Sequence, residues 1–221
     1  IAQSEAARGK TFVNTWMHVG LLQIDKEKMS KSLGNIVSIR DALKQYHPEV
    51  LRYFLLSGHY RSPVSYSETN LKNIHNALAR LYVAMRGLPA AQEEQASEFE
   101  VRFNAAMDDD FNAPEAFAVL FDMAHEINRL REQNHNDHAA QLAATLKRLA
   151  GIFGLLQQDA DEYLKGTAPT DDIQHIEQLI KAREEARENK DWAAADRIRD
   201  ELAGMGVAIE DSTQGTTWRR E

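Results

Sequence analysis

Apolar residues recur at helical spacing over the middle of the chain. Between residues 67 and 157, four segments carry apolar positions three or four residues apart, and short polar joins separate them. The clearest stripe ends at Gly87 and Pro89 and contains Leu71, Ile74, Leu78, Leu81, Tyr82 and Met85. Four such segments predict a four-helix bundle, because each stripe must be buried against its neighbours.

The segment before the bundle has a different pattern. Residues 11–24 are rich in aromatic and branched residues and are broken by Gly20, which favours extended strands. Residues 38–58 predict two short helices. Ser38 can cap the first helix, and Pro48 ends that helix and suits the first turn of the second. The side chains expected to be buried in the second helix are Val50, Leu51, Phe54 and Leu55.

The C-terminal part predicts a small mixed unit. Residues 157–172 are a polar linker, and a charged helix follows from about residue 173 to 189. Asp191 can cap a further helix that buries Trp192, and residues 207–218 alternate around a polar turn, as in a β-hairpin. A local basic set in this part consists of Arg183, Arg187, Lys190, Arg197, Arg199, Arg219 and Arg220. Arginines beside tryptophans are typical of single-stranded RNA recognition, but solvated charge and core tryptophans explain them about as well.

Composition narrows the class of protein. At 221 residues and 43% hydrophobic, the chain is long enough for two or three packed units. Cysteine is absent, so these residues hold no disulfide and no thiolate metal site. A net charge of −8 argues against a general nucleic-acid binder but leaves room for a selective one with local basic patches. No secretion leader is evident, so we expect a cytoplasmic protein, and the missing initiator methionine suggests a piece of a longer one.

Two further clusters raise the question of a metal site. Asp108, Asp109 and Asp110 could bind a divalent cation, but no spaced acidic partner accompanies them, and a helix terminus explains them better. His135 and His138 lack an evident third ligand, and a polar loop is the simpler interpretation. We therefore expect no metal site in this chain.

The chemistry concentrates in residues 28–35, which read KMSKSLGN. Lys28 and Lys31 are compact cations that suit phosphate oxygens, and they stand among serines in front of a predicted helix, where free backbone N–H groups favour anions. These residue types predict a polyphosphate clamp or an exposed basic turn, and they do not decide between the two. The exact string resembles the second signature of the class I aminoacyl-tRNA synthetases. The resemblance implies that Lys31 is the main ATP phosphate ligand, supported by Lys28, with Ser30 and Ser32 in the same site.

The flanking sequence resembles one family of that class, the bacterial cysteinyl-tRNA synthetases. The matching stretches are residues 16–20, 25–35, 52–63, 107–112, 191–196 and 215–220. Isoleucyl enzymes can carry KMSKSLGN but not this series in this order. The resemblance implies a mostly α chain: a remnant of an α/β class I catalytic domain with the KMSKS loop (residues 1–66), a DALR-like helical bundle (67–157) and a small α+β anticodon-binding domain (173–221).

The same resemblance implies the function. Cysteine is activated with ATP and Mg²⁺ to cysteinyl-adenylate and then transferred to the 3′ end of tRNA-Cys by an enzyme expected to be a monomer without membrane contact. The residues that match anticodon-contacting positions are Arg187, Trp192, Asp196 and Asp211. The first signature of the class and the zinc ligands that select cysteine are expected outside this chain. We therefore predict that these residues alone neither form adenylate nor bind zinc.

Two other classes of function remain open at this stage. A cysteine ligase of mycothiol biosynthesis shares the lysine motif, but its family ends without an anticodon domain, so residues 173–220 argue against it. A non-catalytic RNA-binding module derived from a synthetase would keep the bundle and the C-terminal unit without the chemistry.

Overall fold

The computed structural model describes residues 1–24, 27–28, 37–93, 97–166, 170–212 and 215–220, and of residues 27, 28, 170, 171 and 212 only the backbone. Within these residues the chain is mostly helical, as predicted, with ten helices and five short strands. The helices are α1 (Ala2–Arg8), α2 (Ile39–Gln45), α3 (Pro48–Leu56), α4 (Glu68–Met85), α5 (Glu98–Asp108), α6 (Ala113–Glu132), α7 (Asn136–Ile152), α8 (Ala160–Lys165), α9 (Thr170–Glu188) and α10 (Trp192–Gly204). The strands are β1 (Leu22–Ile24), β2 (Glu27–Lys28), β3 (Val64–Tyr66), β4 (Val207–Ser212) and β5 (Gly215–Arg220).

The N-terminal sheet is small. Its strand order is β2-β1-β3, with β1 antiparallel to β2 and parallel to β3. The strand predicted over residues 11–24 forms only at Leu22–Ile24, and residues 11–21 are irregular. Aromatic and branched residues are favoured in strands only where a neighbouring strand offers pairing, and β3 is three residues long.

Helices α2 and α3 begin where the sequence predicts. The Ser38 hydroxyl accepts from the Asp41 N–H at 3.1 Å, and Pro48 is the first residue of α3. Val50 and Phe54 are buried, whereas the prediction for Leu55 is wrong, because it is 53% exposed. Leu55 faces outward, and with Ile39 and Leu43 it lines an apolar cavity of about 490 Å³ between the two helices.

Helices α4 to α7 form the predicted four-helix bundle, and α3 and α8 pack into the same hydrophobic core. Ser67 caps α4 by accepting from Asn70, and Asn112 caps α6 by accepting from Glu115. The three aspartates end α5, as the helix-terminus interpretation predicts. Residues 135–138 differ from the predicted loop, because they form the cap and first turn of α7.

A buried carboxylate ties α3 to the end of the bundle. Glu49 is 6% exposed, and it accepts from the Tyr82 hydroxyl at 2.9 Å and from the Leu156 and Gln157 N–H groups at 2.9 and 3.1 Å. Tyr82 in turn stacks on Tyr163 of α8, with ring centroids 3.9 Å apart. One acidic group therefore joins three segments that are distant in sequence.

The C-terminal unit has its own core. Helices α9 and α10 pack on the hairpin β4–β5, and the buried residues are Ile176, Ile180, Leu202, Val207 and Trp218. Helix α8 contacts this unit, since the Lys165 ammonium lies 3.3 Å from Glu177 and over the Trp218 ring. None of the helices described above combines the length and apolarity that crossing a bilayer requires.

Candidate functional site

The strand that leads to the lysine motif is described, but most of the motif is not. Strand β2 ends at Lys28, whose backbone lies opposite Gln23 of β1. The side chain of Lys28, and all of Ser30, Lys31 and Ser32, lie outside the described residues. Their predicted roles with ATP therefore stay predictions.

The chain just before β1 is packed tightly against the connector between α3 and β3, residues 57–63. The Gly20 N–H donates to the Tyr60 carbonyl at 2.7 Å, and the Val64 N–H donates to the Leu21 carbonyl at 3.1 Å. A Cβ on Gly20 would lie 1.9 Å from the Ser62 carbonyl oxygen, far inside van der Waals contact. Only glycine permits this backbone approach, so the connector fixes where β1 begins.

In the C-terminal unit, Asp211 is the centre of a hydrogen-bonded cluster. Arg183 binds it in a two-pronged arrangement, with Nη1 2.8 Å from Oδ1 and Nη2 2.9 Å from Oδ2. Arg187 donates to Oδ2 at 2.7 Å, and the Thr216 hydroxyl donates to Oδ1 at 2.9 Å. These contacts fill the roughly four acceptor directions of a carboxylate.

The charges of this cluster are strongly coupled. Hydrogen bonding from Arg183 is the largest cause that holds the pKa of Asp211 well below its ordinary value of 3.8, with Thr216 and the charge of Arg187 adding to it. The pKa of Arg183 is raised, chiefly by the same hydrogen bond and to a smaller extent by the charge of Asp196. Asp196 therefore lies within electrostatic reach of the cluster.

A pH dependence follows from the direction of this shift. Because the folded pKa of Asp211 lies below the unfolded one, its stabilisation is complete above pH 3.8 and is lost as the pH falls below that value. We expect Asp211→Asn to be less stable than the wild type at pH 7, with a smaller difference at pH 3. Urea unfolding, followed by Trp218 fluorescence with Trp16 and Trp192 replaced by phenylalanine, measures both differences. Asp200→Asn, at an exposed position of α10, is the matched control, and an equal response there would contradict the prediction.

Trp192 is the exposed member of the tryptophan pair. The sequence predicts it to be buried, but it is 61% exposed, whereas Trp218 is 3% exposed and forms the core. It is the first residue of α10, where Asp191 caps the helix by accepting from Ala194 at 3.0 Å. Trp192 therefore lies at the N-terminal end of α10 with most of its side chain accessible to solvent.

Asp196 and Trp192 share a face of α10, because they are four residues apart. Asp196 is exposed and lies 3.2 Å from Arg199. The structure thus brings Arg187 and Asp211 into direct contact and places Asp196 near the same cluster. All four sequence-predicted positions belong to the α9–α10–β4 region.

Other basic residues are less available than the sequence suggests. Arg219 lies 3.4 Å from Glu210, and Arg220 lies 3.2 Å from Asp172. Arg183 is 8% exposed, so it supports Asp211 and does not face a partner. Sequence reasoning placed Arg183 in the basic set but not in the site, although it stands four residues before Arg187 and therefore on the same helix face. Over the ranges described, no group of three His, Asp or Glu side chains lies close enough to hold a metal ion.

Comparison with known families agrees with this arrangement. Residues 1–76 match the catalytic domain of the class I (C) tRNA synthetases, residues 102–157 match the DALR domain, and residues 173–219 match the anticodon-binding domain of cysteinyl-tRNA ligase. The order of these domains and the fold define the chain as class I aminoacyl-tRNA synthetase sequence.

Individual relatives narrow the family. The chain is 60% identical over all 221 residues to a cysteine–tRNA ligase of Coxiella burnetii, covering 48% of that protein, and 56% identical over 220 residues to that of Azotobacter vinelandii, also covering 48%. The chain belongs to the cysteinyl-tRNA synthetase family and spans about half the length of these curated relatives. Among solved structures, the chain matches the LeuRS of Agrobacterium radiobacter K84 agnB2 in a ternary complex, with a TM-score of 0.45 and 18% sequence identity. The match covers 66% of this chain and 21% of that one, and so low a TM-score carries no argument.

Proposed function

We propose that this chain works within a cysteine–tRNA ligase, which activates cysteine with ATP and transfers it to the 3′ end of tRNA-Cys. The observation that carries the proposal is the 60% identity over the whole chain to a protein of that name. Mg²⁺ accompanies ATP in this class, and zinc is expected to be held by residues outside this chain. We also propose that the enzyme is a monomer and works in the cytoplasm.

Lys28 and Lys31 are proposed to act on ATP. A carboxylate oxygen of cysteine attacks the α-phosphorus and forms a new O–P bond. The bond between the α-phosphorus and the α,β-bridging oxygen breaks, and pyrophosphate leaves with that oxygen. Negative charge spreads over the phosphate oxygens in this step, and fixed ammonium groups stabilise it most when it is largest. Ser30 and Ser32 are proposed to bind the same phosphates by hydrogen bonds.

Arg187, Trp192, Asp196 and Asp211 are proposed to form the anticodon site. In the free chain every acceptor direction of Asp211 is occupied, so a base amino group must displace Arg187 or Thr216 to reach it. We therefore assign Asp211 chiefly to aiming Arg187, whose side chain is 42% exposed. Asp196 is the carboxylate more open to a base, and Trp192 offers a face for stacking.

The match to an anticodon-binding domain at residues 173–219 disfavours the mycothiol-pathway alternative, whose family ends without that domain. A non-catalytic RNA-binding module remains the second candidate, because residues 102–157 and 173–219 match the DALR and anticodon-binding domains, which such a module would retain. One experimental outcome distinguishes this module from a ligase: the module binds tRNA but does not support cysteine activation, even when it is joined to the missing half of the enzyme.

The proposed RNA contacts are tested on the 221-residue chain. We expect Arg187→Ala to weaken binding of tRNA-Cys about tenfold, in the range of one lost base contact, and to reduce discrimination against a tRNA-Cys with an altered anticodon. Fluorescence anisotropy with both RNAs at two salt concentrations measures this. Lys181→Ala, on the same helix and 79% exposed, is the matched control for charge, and it should weaken both RNAs equally and slightly. An Arg187→Ala variant that keeps full anticodon discrimination would contradict the assignment.

Activation is tested in a chimeric protein, called the full-length form below. In it, the part of the Coxiella burnetii relative that this chain does not match is fused to these 221 residues. We expect cysteine-dependent ATP–pyrophosphate exchange from that form and none from the 221 residues alone. Exchange by the isolated chain would overturn the second expectation. Absence of exchange from the joined form, with tRNA binding intact, would favour the non-catalytic module.

A further inference from the structure

The turn between α5 and α6 has a contact that bundle packing does not require. Asp110 accepts from the Tyr60 hydroxyl at 2.8 Å, and Arg61 Nη2 lies 3.1 Å from its second oxygen. Arg61 Nε also donates to the Tyr60 hydroxyl at 2.9 Å, and His59 Nε2 lies 3.7 Å from Asp110. The Asp110 carboxylate therefore binds Tyr60 and Arg61 of the connector and lies close to His59.

The backbone at this turn is held in an unusual conformation. Asp110 has φ 53° and Phe111 has φ 55°, in the left-handed region that non-glycine residues rarely adopt. Backbone bonds close the turn, from the Phe111 N–H to the Met107 carbonyl and from the Asn112 N–H to the Ala106 carbonyl, both at 3.1 Å. An aspartate tolerates this region better than most residues, but a phenylalanine does not. Such a turn persists where its surroundings fix it, which makes it a firm anchor.

The connector that Asp110 holds is the same one that positions β1. The Tyr60 side chain binds Asp110, while the Tyr60 carbonyl accepts from Gly20, two residues before β1. The Ser62 backbone leaves no space for a side chain at position 20, and Val64 of β3 pairs with Leu22 of β1. β1 then pairs with β2, which ends at Lys28. A continuous series of hydrogen bonds therefore runs from the bundle to the strand that enters the lysine motif.

We propose that Asp110 is a positioning residue for the activation step, acting through Tyr60 on the placement of β1. This inference rests on the proposed function of the lysine motif. The proposal gives the three consecutive aspartates a role other than metal binding. That role belongs to Asp110 and not to Asp108 or Asp109. Asp108 and Asp109 belong to the same turn and are exposed, and of the three aspartates it is Asp110 whose contacts with the connector are described. A misplacement of about 1 Å at a reacting group can lower a rate by up to about a hundredfold, so a loosened strand should be visible in catalysis.

The first test measures the strand directly, by hydrogen exchange of the full-length form. In Asp110→Ala we expect peptides covering residues 18–24 and 59–66 to exchange several-fold faster, whereas peptides from α4, α6 and α7 keep wild-type protection. Tyr60→Phe removes the hydroxyl but keeps the ring, and it should give the same local pattern. Asp109→Ala is the matched control. Unchanged exchange of β1 in Asp110→Ala, or the same change in Asp109→Ala, overturns the proposal.

The second test separates positioning from general destabilisation. We expect Asp110→Ala to lower kcat of ATP–pyrophosphate exchange roughly tenfold with little change in the KM for cysteine, and Asp110→Asn, which still accepts from Tyr60, to retain more activity. The double variant with Tyr60→Phe should lose no more than Asp110→Ala alone, because both act through one hydrogen bond. Additive losses overturn the proposal. If the wild-type form shows no exchange activity, the proposed function fails, and the hydrogen-exchange result still decides the role of Asp110.

Discussion

Replacing Glu49 with alanine is expected to lower the free energy of unfolding of the bundle by about 3–5 kcal/mol, because each buried donor left without an acceptor costs about 1–3 kcal/mol. The variant leaves the Tyr82 hydroxyl and the Leu156 and Gln157 N–H groups unsatisfied. The charge of Glu49 is tolerated in the native state because it accepts from all three and lies in the first turn of α3, near the positive end of the helix.

Urea unfolding followed by circular dichroism at 222 nm measures this loss. Glu98→Ala is the control, because Glu98 also lies in the first turn of a helix but is exposed, so its loss should stay within about 1 kcal/mol. Glu49→Gln should be intermediate, since its amide oxygen accepts while its NH₂ group faces other donors. A loss in Glu49→Ala no larger than in Glu98→Ala would show that water replaces the carboxylate without cost.

The bundle could be predicted from the sequence because its signals are local. The apolar stripe of α4 is a repeating pattern, and the caps at Ser38, Ser67 and Asn112 need only a residue a few positions away. A cap and a stripe specify a helix before any tertiary contact forms. The predicted cap of α2 at Ser38 and the four helices α4 to α7 are confirmed, whereas Leu55 of α3 and residues 135–138 at the start of α7 differ from the prediction.

The predictions fail where contacts with a distant part of the chain determine the local structure or the burial of a residue. Helix α8 lies inside the predicted linker, although Asp159 caps it by accepting from the Asp161 and Glu162 N–H groups. That cap was a usable signal, but six residues seldom form a stable helix alone, and α8 also needs the burial of Tyr163 and Leu164 in the bundle core. Trp192 was predicted to be buried from its spacing alone, and spacing does not show on which side of α10 the hairpin packs.

In the candidate site, too, some residues could be found from the sequence, and others depend on partners far away along the chain. The roles proposed for the lysine motif and for the four anticodon positions came from resemblance to a family, and residue chemistry alone left each of them undecided. Arg183 was missed as part of the site because its role depends on Asp211, 28 residues later on a strand. The role of Asp110 depends likewise on Tyr60, 50 residues earlier. Neither pairing leaves a periodic or motif-like signal in the sequence.

Lys31→Ala in the full-length form is expected to lower kcat for cysteine activation by about 10²–10³-fold, which corresponds to about 2.7–4 kcal/mol of lost transition-state stabilisation. The reason is that an ammonium group at the phosphates is worth most when pyrophosphate is departing, and less in the ground state. The KM for ATP should therefore change much less than kcat. Lys28→Ala should show a smaller loss of the same kind, in keeping with a supporting role.

Steady-state ATP–pyrophosphate exchange, with cysteine and ATP varied in turn, measures both constants. Lys44→Ala is the control, because Lys44 follows the motif in α2, is 68% exposed and pairs with Asp41 in its own helix turn. Binding of tRNA-Cys to Lys31→Ala should equal that of the wild type, because the proposed RNA contacts lie in α9, α10 and β4. A Lys31→Ala enzyme that activates cysteine at the wild-type rate would show that the lysine motif is an exposed basic turn, since a residue that stabilises the departing pyrophosphate cannot be removed without slowing its release.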